Sequence, residues 1–201
     1  MAAAPNDIVA MGNAIVDIVC RCDDDHLART SAPKGHMTLV HSLSEISELV
    51  SEMPGTFEVA GGAAVNAAVG VASLGGRSTI IGRVANDRLG NLFRHDIKGI
   101  GVTFRTPPTM IATGETSRSL VLVTPDGQRT MLTYLGCSPR IEIDDIDAQT
   151  IKTSKILHLE GYLFDDPRSK AALEEAVSLA SAAGKLISFA LPDSFRVHSH
   201  R

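Results

Sequence analysis

Apolar residues along this chain recur with two different periods, and the alternation between them outlines the fold. The run Asp7-Ile8-Val9-Ala10-Met11-Gly12 is continuously apolar and short, which predicts a strand buried on both faces. After a break at Asn13, residues 15–19 form a second β-branched run. Ser42-Leu43-Ser44-Glu45 has the spacing of a capping box, and Ile46, Leu49 and Val50 supply the stripe of the helix it opens. Gly61-Gly62 precedes a small-residue helix over residues 63–74, which Gly75-Gly76 closes. Residues 78–82 predict a strand. Asp87 is placed to cap a helix carrying Leu89, Leu92, Phe93 and Ile97 that stops near Gly99.

The middle of the chain changes character. Leu120-Val121-Leu122-Val123 and Met131-Leu132-Thr133-Tyr134-Leu135 flank Pro125-Asp126-Gly127-Gln128, which predicts an antiparallel hairpin. Strand–helix–strand alternation then resumes over residues 155–159, 167–183 and 186–190, with Pro167 in the first helical turn and Gly184 after the last. Repeated β–α units imply a mainly parallel sheet with helices on both faces. The chain stops soon after its last strand-like run, so the reading is of an interrupted fold.

Composition narrows the function classes. With 44% hydrophobic and 21% charged residues the 201-residue chain has an ordinary globular make-up. Its net charge of −4 and scattered basic residues mark no nucleic-acid surface. No apolar run reaches the roughly 18 residues that crossing a bilayer requires, and the first residues lack the pattern of a signal peptide. Three cysteines, two of them as Cys20-Arg21-Cys22, fit reduced thiols in a cytoplasmic protein; no metal-ligand spacing accompanies them.

Several residues are candidates for chemistry, each with a plainer alternative. Asp17, among β-branched neighbours, either accepts hydrogen bonds from ligand hydroxyls or sits on a solvated strand face. Gly61 and Gly62 let a ligand approach the backbone, and Asn66 lies one helical turn further on; the alternative is a tight strand-to-helix turn. Neither a dinucleotide fingerprint nor a P-loop is present. Glu160 ends a strand where open α/β sheets place ligands, or is simply the first polar residue after it. Arg129 could meet a phosphate or be an ordinary turn arginine. Tyr162 and Phe195 could stack on a base or fill a core. His198-Ser199-His200 reads as a chain end rather than a metal tract.

Taken together, Met11-Gly12-Asn13-Ala14-Ile15-Val16-Asp17, Gly61-Gly62 with Asn66, and Ile81-Gly82-Arg83-Val84-Ala85-Asn86-Asp87-Arg88-Leu89-Gly90 resemble the PfkB (ribokinase-like) carbohydrate kinases in order and spacing. Thr133-Tyr134-Leu135-Gly136 and Leu159-Glu160-Gly161-Tyr162-Leu163 resemble the adenosine-kinase-like branch. The resemblance implies a ribokinase-like α/β/α (Rossmann-like) core with a small β-sheet lid from residues 34–40 and 117–135. Residues 1–201 would be the N-terminal portion of one kinase domain, with the C-terminal part missing. It implies ATP- and Mg2+-dependent phosphorylation of a sugar or nucleoside hydroxyl, adenosine or a related ribosyl compound being favoured. Asn13, Asp17, Gly61, Gly62, Asn66, Glu160, Tyr162 and Phe195 would bind the acceptor, and Arg129 would sit on the lid near the transferred phosphoryl group. Lids in such kinases can pair, which would make a homodimer. Two departures stand out: Ala85 replaces a usual glycine, and the chain contains neither Gly-Ala-Gly-Asp, the source of the family's catalytic base, nor its Asn-x-x-Glu element. The chain by itself is therefore expected to be inactive. A noncatalytic sugar- or nucleoside-binding module and a nonfunctional remnant are the alternatives.

Overall fold

The computed structural model describes residues 5–30, 32–53 and 55–192. In chain order its elements are β1 (Ile8–Met11), β2 (Ile15–Arg21), α1 (Asp24–Arg29), β3 (Met37–Leu39), α2 (Leu43–Glu52), β4 (Phe57–Gly61), α3 (Ala63–Ser73), β5 (Ser78–Ile81), α4 (Arg88–Ile100), β6 (Thr103–Phe104), β7 (Ser117–Val123), β8 (Arg129–Tyr134), α5 (Ala148–Thr153), β9 (Ile156–Glu160), α6 (Pro167–Ala182) and β10 (Leu186–Ala190).

The continuously apolar segments make the first sheet, in the order β10-β9-β1-β5-β6 with every pair parallel. Its central strand explains the pattern. Ala10 packs with Ile80 beneath α3 and α4, whereas Val9 and Met11 pack with Leu157 and Leu159 against α5 and α6. Both faces are covered, so no position of β1 is free to be polar. The helix stops follow local chemistry. Asp87 caps α4 by accepting from the Gly90 N–H at 2.7 Å, and Gly101 ends it in the left-handed region at φ +91°. That is slightly beyond the expected stop near Gly99. Asp166 and Pro167 open α6. Ser42 does cap α2, but it accepts from the Ser44 N–H at 3.2 Å, and no reciprocal Glu45 bond completes a capping box.

The second sheet, β3-β8-β7-β2-β4, is mixed: β7 and β8 form the expected hairpin, β2 joins β7 in parallel, and β4 joins β2 antiparallel. It contains both lid segments expected from the sequence, and it also recruits β2 and β4. One face is packed: Ile18, Cys20, Leu120, Leu122 and Leu132 meet Leu27 of α1 and Ile46 of α2. Lys34 bridges Asp24 and Asp126 at 2.6 and 2.9 Å, tying the approach to β3 to the hairpin turn. The other face looks onto the C-terminal ends of β1 and β9. None of the three cysteines is in a disulfide. Among the described residues no helix is long and apolar enough to cross a membrane.

Ala85 needs no glycine. No non-glycine residue among those described has positive φ, and the Ala85 N–H donates to Thr116 Oγ1 at 2.9 Å.

Candidate functional site

The open face of the second sheet roofs a cavity of about 270 Å³, towards the small end of ligand-sized sites. Its floor is the switch region of the first sheet: Asn13 after β1, Glu160 at the end of β9, and Gly62, Ala63 and Asn66 at the start of α3. Its roof is written by strand alternation. On β2, Ile15 and Asp17 face the cavity; on β3, Met37 and Leu39; on β7, Ser119; on β8, Met131 and Thr133. Leu135, Pro139, Tyr162 and Asp165 close the sides.

Asp17 is the electrostatic centre of this space. No N–H or O–H among the described residues donates to its carboxylate, and burial pushes its pKa up to about 6; the Arg129 charge only partly offsets that rise. The sequence around it is shaped to keep this carboxylate in place. Gly61, opposite Ile15 in the β2–β4 register, is where a Cβ would come within 2.3 Å of Asp17 Oδ2. Gly62 adopts φ +113°, and a Cβ there would lie 2.2 Å from the Asn13 carbonyl oxygen. The double glycine thus turns the chain from β4 into α3 while leaving room for Asp17 and Asn13.

Asn13 and Glu160 are joined. Asn13 Nδ2 donates to Glu160 Oε1 at 2.8 Å, and the Ala64 N–H donates to Glu160 Oε2 at 3.0 Å. Glu160 is 3% exposed, and burial raises its pKa against the opposing effect of those two donors. Asn66 is exposed on the cavity side of α3, one turn from Gly62.

The structure therefore gathers Asn13, Asp17, Gly62, Asn66, Glu160 and Tyr162 around one cavity, with Gly61 packed behind Asp17. Arg129 does not line the cavity. It is exposed at the start of β8, two residues before Met131 and so on the same face, within electrostatic reach of Asp17. Phe195 and His198-Ser199-His200 lie outside the described residues. Sequence reading missed the apolar roof. Met37, Leu39, Met131 and Leu135 looked like ordinary strand residues, although the period-2 spacing of residues 131, 133 and 135 does place them on one face. It also missed Ser117 and Ser138, whose hydroxyls stand within hydrogen-bonding distance of each other behind Asn13.

Comparison with known proteins agrees with this geometry. The chain superposes on the adenosine kinase from Sinorhizobium meliloti with a TM-score of 0.90 at 43% identity, covering 98% of this chain and 60% of that one. A probable sugar kinase from Rhizobium etli CFN 42 gives 0.90 at 39% identity, with 98% and 59% coverage. Among curated proteins, probable fructokinase-2 of Arabidopsis thaliana is 25% identical over 162 residues, 77% of this chain and 47% of that protein. The chain thus spans about half to three-fifths of the length of these relatives. The architecture is ribokinase-like, an α/β/α core carrying a second sheet. The family profile described as pfkB family carbohydrate kinase matches residues 6–197, and on that match the chain belongs to the PfkB family of carbohydrate kinases.

Proposed function

We propose that this chain forms the acceptor site and lid of a nucleoside kinase, with adenosine or a close ribosyl relative as the acceptor. The observation that carries the reading is the two-part character of the cavity. One part presents the unpaired Asp17 carboxylate with Asn13 and Asn66; the other is lined by Met37, Leu39, Met131 and Leu135. A polyol needs only the first. A nucleoside uses both, with ribose hydroxyls donating to Asp17 and the flat base buried against the apolar roof. The greater identity to an adenosine kinase than to the fructokinase supports the same choice.

In this reading the second sheet acts as a lid. Its apolar face expels water over the acceptor, which strengthens the contact between Asp17 and the hydroxyls it orients. Arg129, at the lid's rim, is placed to neutralise charge on an incoming phosphoryl group. Family membership brings ATP and Mg2+ into the proposal, ATP as the source of the phosphoryl group. The residues described do not by themselves build a metal site, since no three His, Cys, Asp or Glu side chains come together among them. The Gly-Ala-Gly-Asp sequence that provides the family's base does not occur in the 201 residues. The chain alone should therefore bind the acceptor without phosphorylating it.

Calorimetry with adenosine, ribose and fructose tests the reading. Adenosine should bind best, and Asp17→Ala should weaken it at least about tenfold, since a hydrogen bond to a charged group is worth roughly 1.5–3 kcal/mol. No ATP-dependent phosphorylation above a no-protein control should be seen. Tighter binding of fructose than of adenosine, or unchanged adenosine affinity in a folded Asp17→Ala variant, would overturn it.

A further inference from the structure

Glu160 sits beside the cavity with both carboxylate oxygens already engaged, one by Asn13 Nδ2 at 2.8 Å and one by the Ala64 N–H at 3.0 Å. The fit is close: a Cβ on Gly12 would come within 2.3 Å of Glu160 Oε2. In this arrangement both Glu160 oxygens accept, and an acceptor dictates the polarity of whatever touches it. Asn13 must turn its NH2 group towards Glu160 and its carbonyl oxygen away. That oxygen receives the Ser138 hydroxyl at 3.0 Å, a proton Ser138 shares with the Leu135 carbonyl oxygen at 2.9 Å. Ser117 Oγ lies 2.6 Å from Ser138 Oγ and also contacts the Leu135 carbonyl oxygen. Donors therefore run one way, from Ser117 on β7 through Ser138 and Asn13 to Glu160 on β9, crossing from the second sheet to the first. One N–H of the Asn13 amide is left over, on a residue that lines the cavity, and no acceptor among the described residues takes it.

We propose that Glu160 is a positioning residue that fixes Asn13 as a hydrogen-bond donor into the acceptor cavity. Asp17, on the opposite sheet, can only accept while ionised. Together they offer one donor and one acceptor, a pair that a hydroxyl satisfies and that a hydrogen or fluorine in its place does not. The inference rests on the acceptor-site reading for its ligand, whereas the orientation of Asn13 is a property of the unliganded chain.

Glu160→Gln keeps the shape but brings an NH2 group of its own. Either that group faces the Ala64 N–H or Asn13 has to reverse. In the 15N-labelled, unliganded chain, the Asn13 side-chain amide resonances should shift markedly in Glu160→Gln while the backbone spectrum away from the site stays in place. Binding of adenosine and of its 2′- and 3′-deoxy analogues is then compared in wild type, Glu160→Gln, Asn13→Ala and the double variant. Glu160→Gln should weaken adenosine about tenfold and narrow its preference over the deoxy analogues, yet add little once Asn13 is alanine. Equal losses in both backgrounds, as direct contact or a general packing role would give, overturn the proposal, as does an unmoved Asn13 amide. Should Glu160→Gln fail to fold, Ser138→Ala takes its place in the same cycle, with a smaller loss expected that again disappears when Asn13 is alanine. If wild type does not bind adenosine, the acceptor reading falls while the Asn13 amide still decides the role of Glu160.

Discussion

β1 and β2 are neighbours in sequence, separated by Gly12-Asn13-Ala14, and they live under different rules. β1 is buried at every position because helices cover both faces of the first sheet. β2 alternates: Ile18 and Cys20 are buried against the α1–α2 side and Val16 among the side chains of α3 and α4, while Ile15 and Asp17 are half-exposed and line the cavity. The first sheet is a foundation, and its residues are chosen by packing. The second is two-sided, with one face holding it together and the other free to carry an unpaired carboxylate that a closed core would not tolerate. Asp17, Asn13 and Asn66 collect where the two sheets meet, around the cavity between the buried floor and the open face of the second sheet.

The largest effects should come from the foundation. Phe93 is fully buried beneath the first sheet and packs edge-on against Phe104 at 5.3 Å. Phe93→Ala should cost about 3–5 kcal/mol in urea unfolding. Met131→Ala, on the half-exposed cavity face, should cost less than about 1 kcal/mol in stability and still weaken adenosine several-fold. Similar stability losses at both positions would erase the distinction between the sheets.

Asp17 sharpens the comparison from the other side, because a site residue should be a stability liability. Its folded pKa of about 6 lies above the ordinary value of 3.8, so folding disfavours its charged form. The penalty is absent below about pH 4, grows between the two values, and is full above about pH 6. Asp17→Asn should therefore stabilise the unliganded protein at pH 7–8 by about 1–2 kcal/mol and leave it unchanged near pH 4. Adenosine binding to wild type should strengthen as pH rises through 6, as the acceptor carboxylate ionises. A thermal-melt series across this range reads the stability change, and a pH-independent difference would remove Asp17 from its assigned environment.

The edge of the first sheet gives a smaller effect. β10 leaves Leu186 70%, Ile187 40% and Phe189 42% exposed, unlike any other strand of that sheet. An apolar edge of this kind attracts hydrophobic dyes and other chains. Leu186→Lys should lower dye binding and self-association measurably while shifting the melting temperature by no more than a few degrees. Smallest of all is the surface link between layers. Arg88 on α4 forms two bonds with Glu58 on β4, at 2.6 and 2.5 Å, but Arg88 is 70% exposed. Arg88→Ala should cost no more than about 1 kcal/mol, with the loss fading as salt is added.

Much of this was legible in the sequence because local rules operate locally. The unbroken apolar run of β1, the Asp87 cap, the Pro167 start, the hairpin around Pro125-Asp126-Gly127-Gln128 and the Gly61-Gly62 turn each carry their own physical signature within a few residues. β4 and β3 do not. Phe57 is 60% exposed, and β3 has only three residues, none of them fully buried. Each shows a single apolar–polar–apolar alternation, too short to mark a strand, and each is a strand only because a partner distant in sequence supplies its hydrogen bonds.

The site divides the same way. Asp17, Asn66 and the glycine pair could be singled out from residue type and spacing, since an acid among β-branched residues and glycines before a helix are unusual wherever they occur. The sequence could not say that Asp17 lacks a donor, that Glu160 is held by Asn13 and Ala64, or that Ser117 and Ser138 extend that contact into the second sheet. Hydrogen-bond partners separated by 147 and 96 residues leave no periodic trace. Sequence determines which residues are able to accept, donate or pack. Only the tertiary structure decides which of those capacities are satisfied within the protein and which, like that of the Asp17 carboxylate, are left unmet, because satisfaction depends on distances that the chain sets only once both sheets are in place.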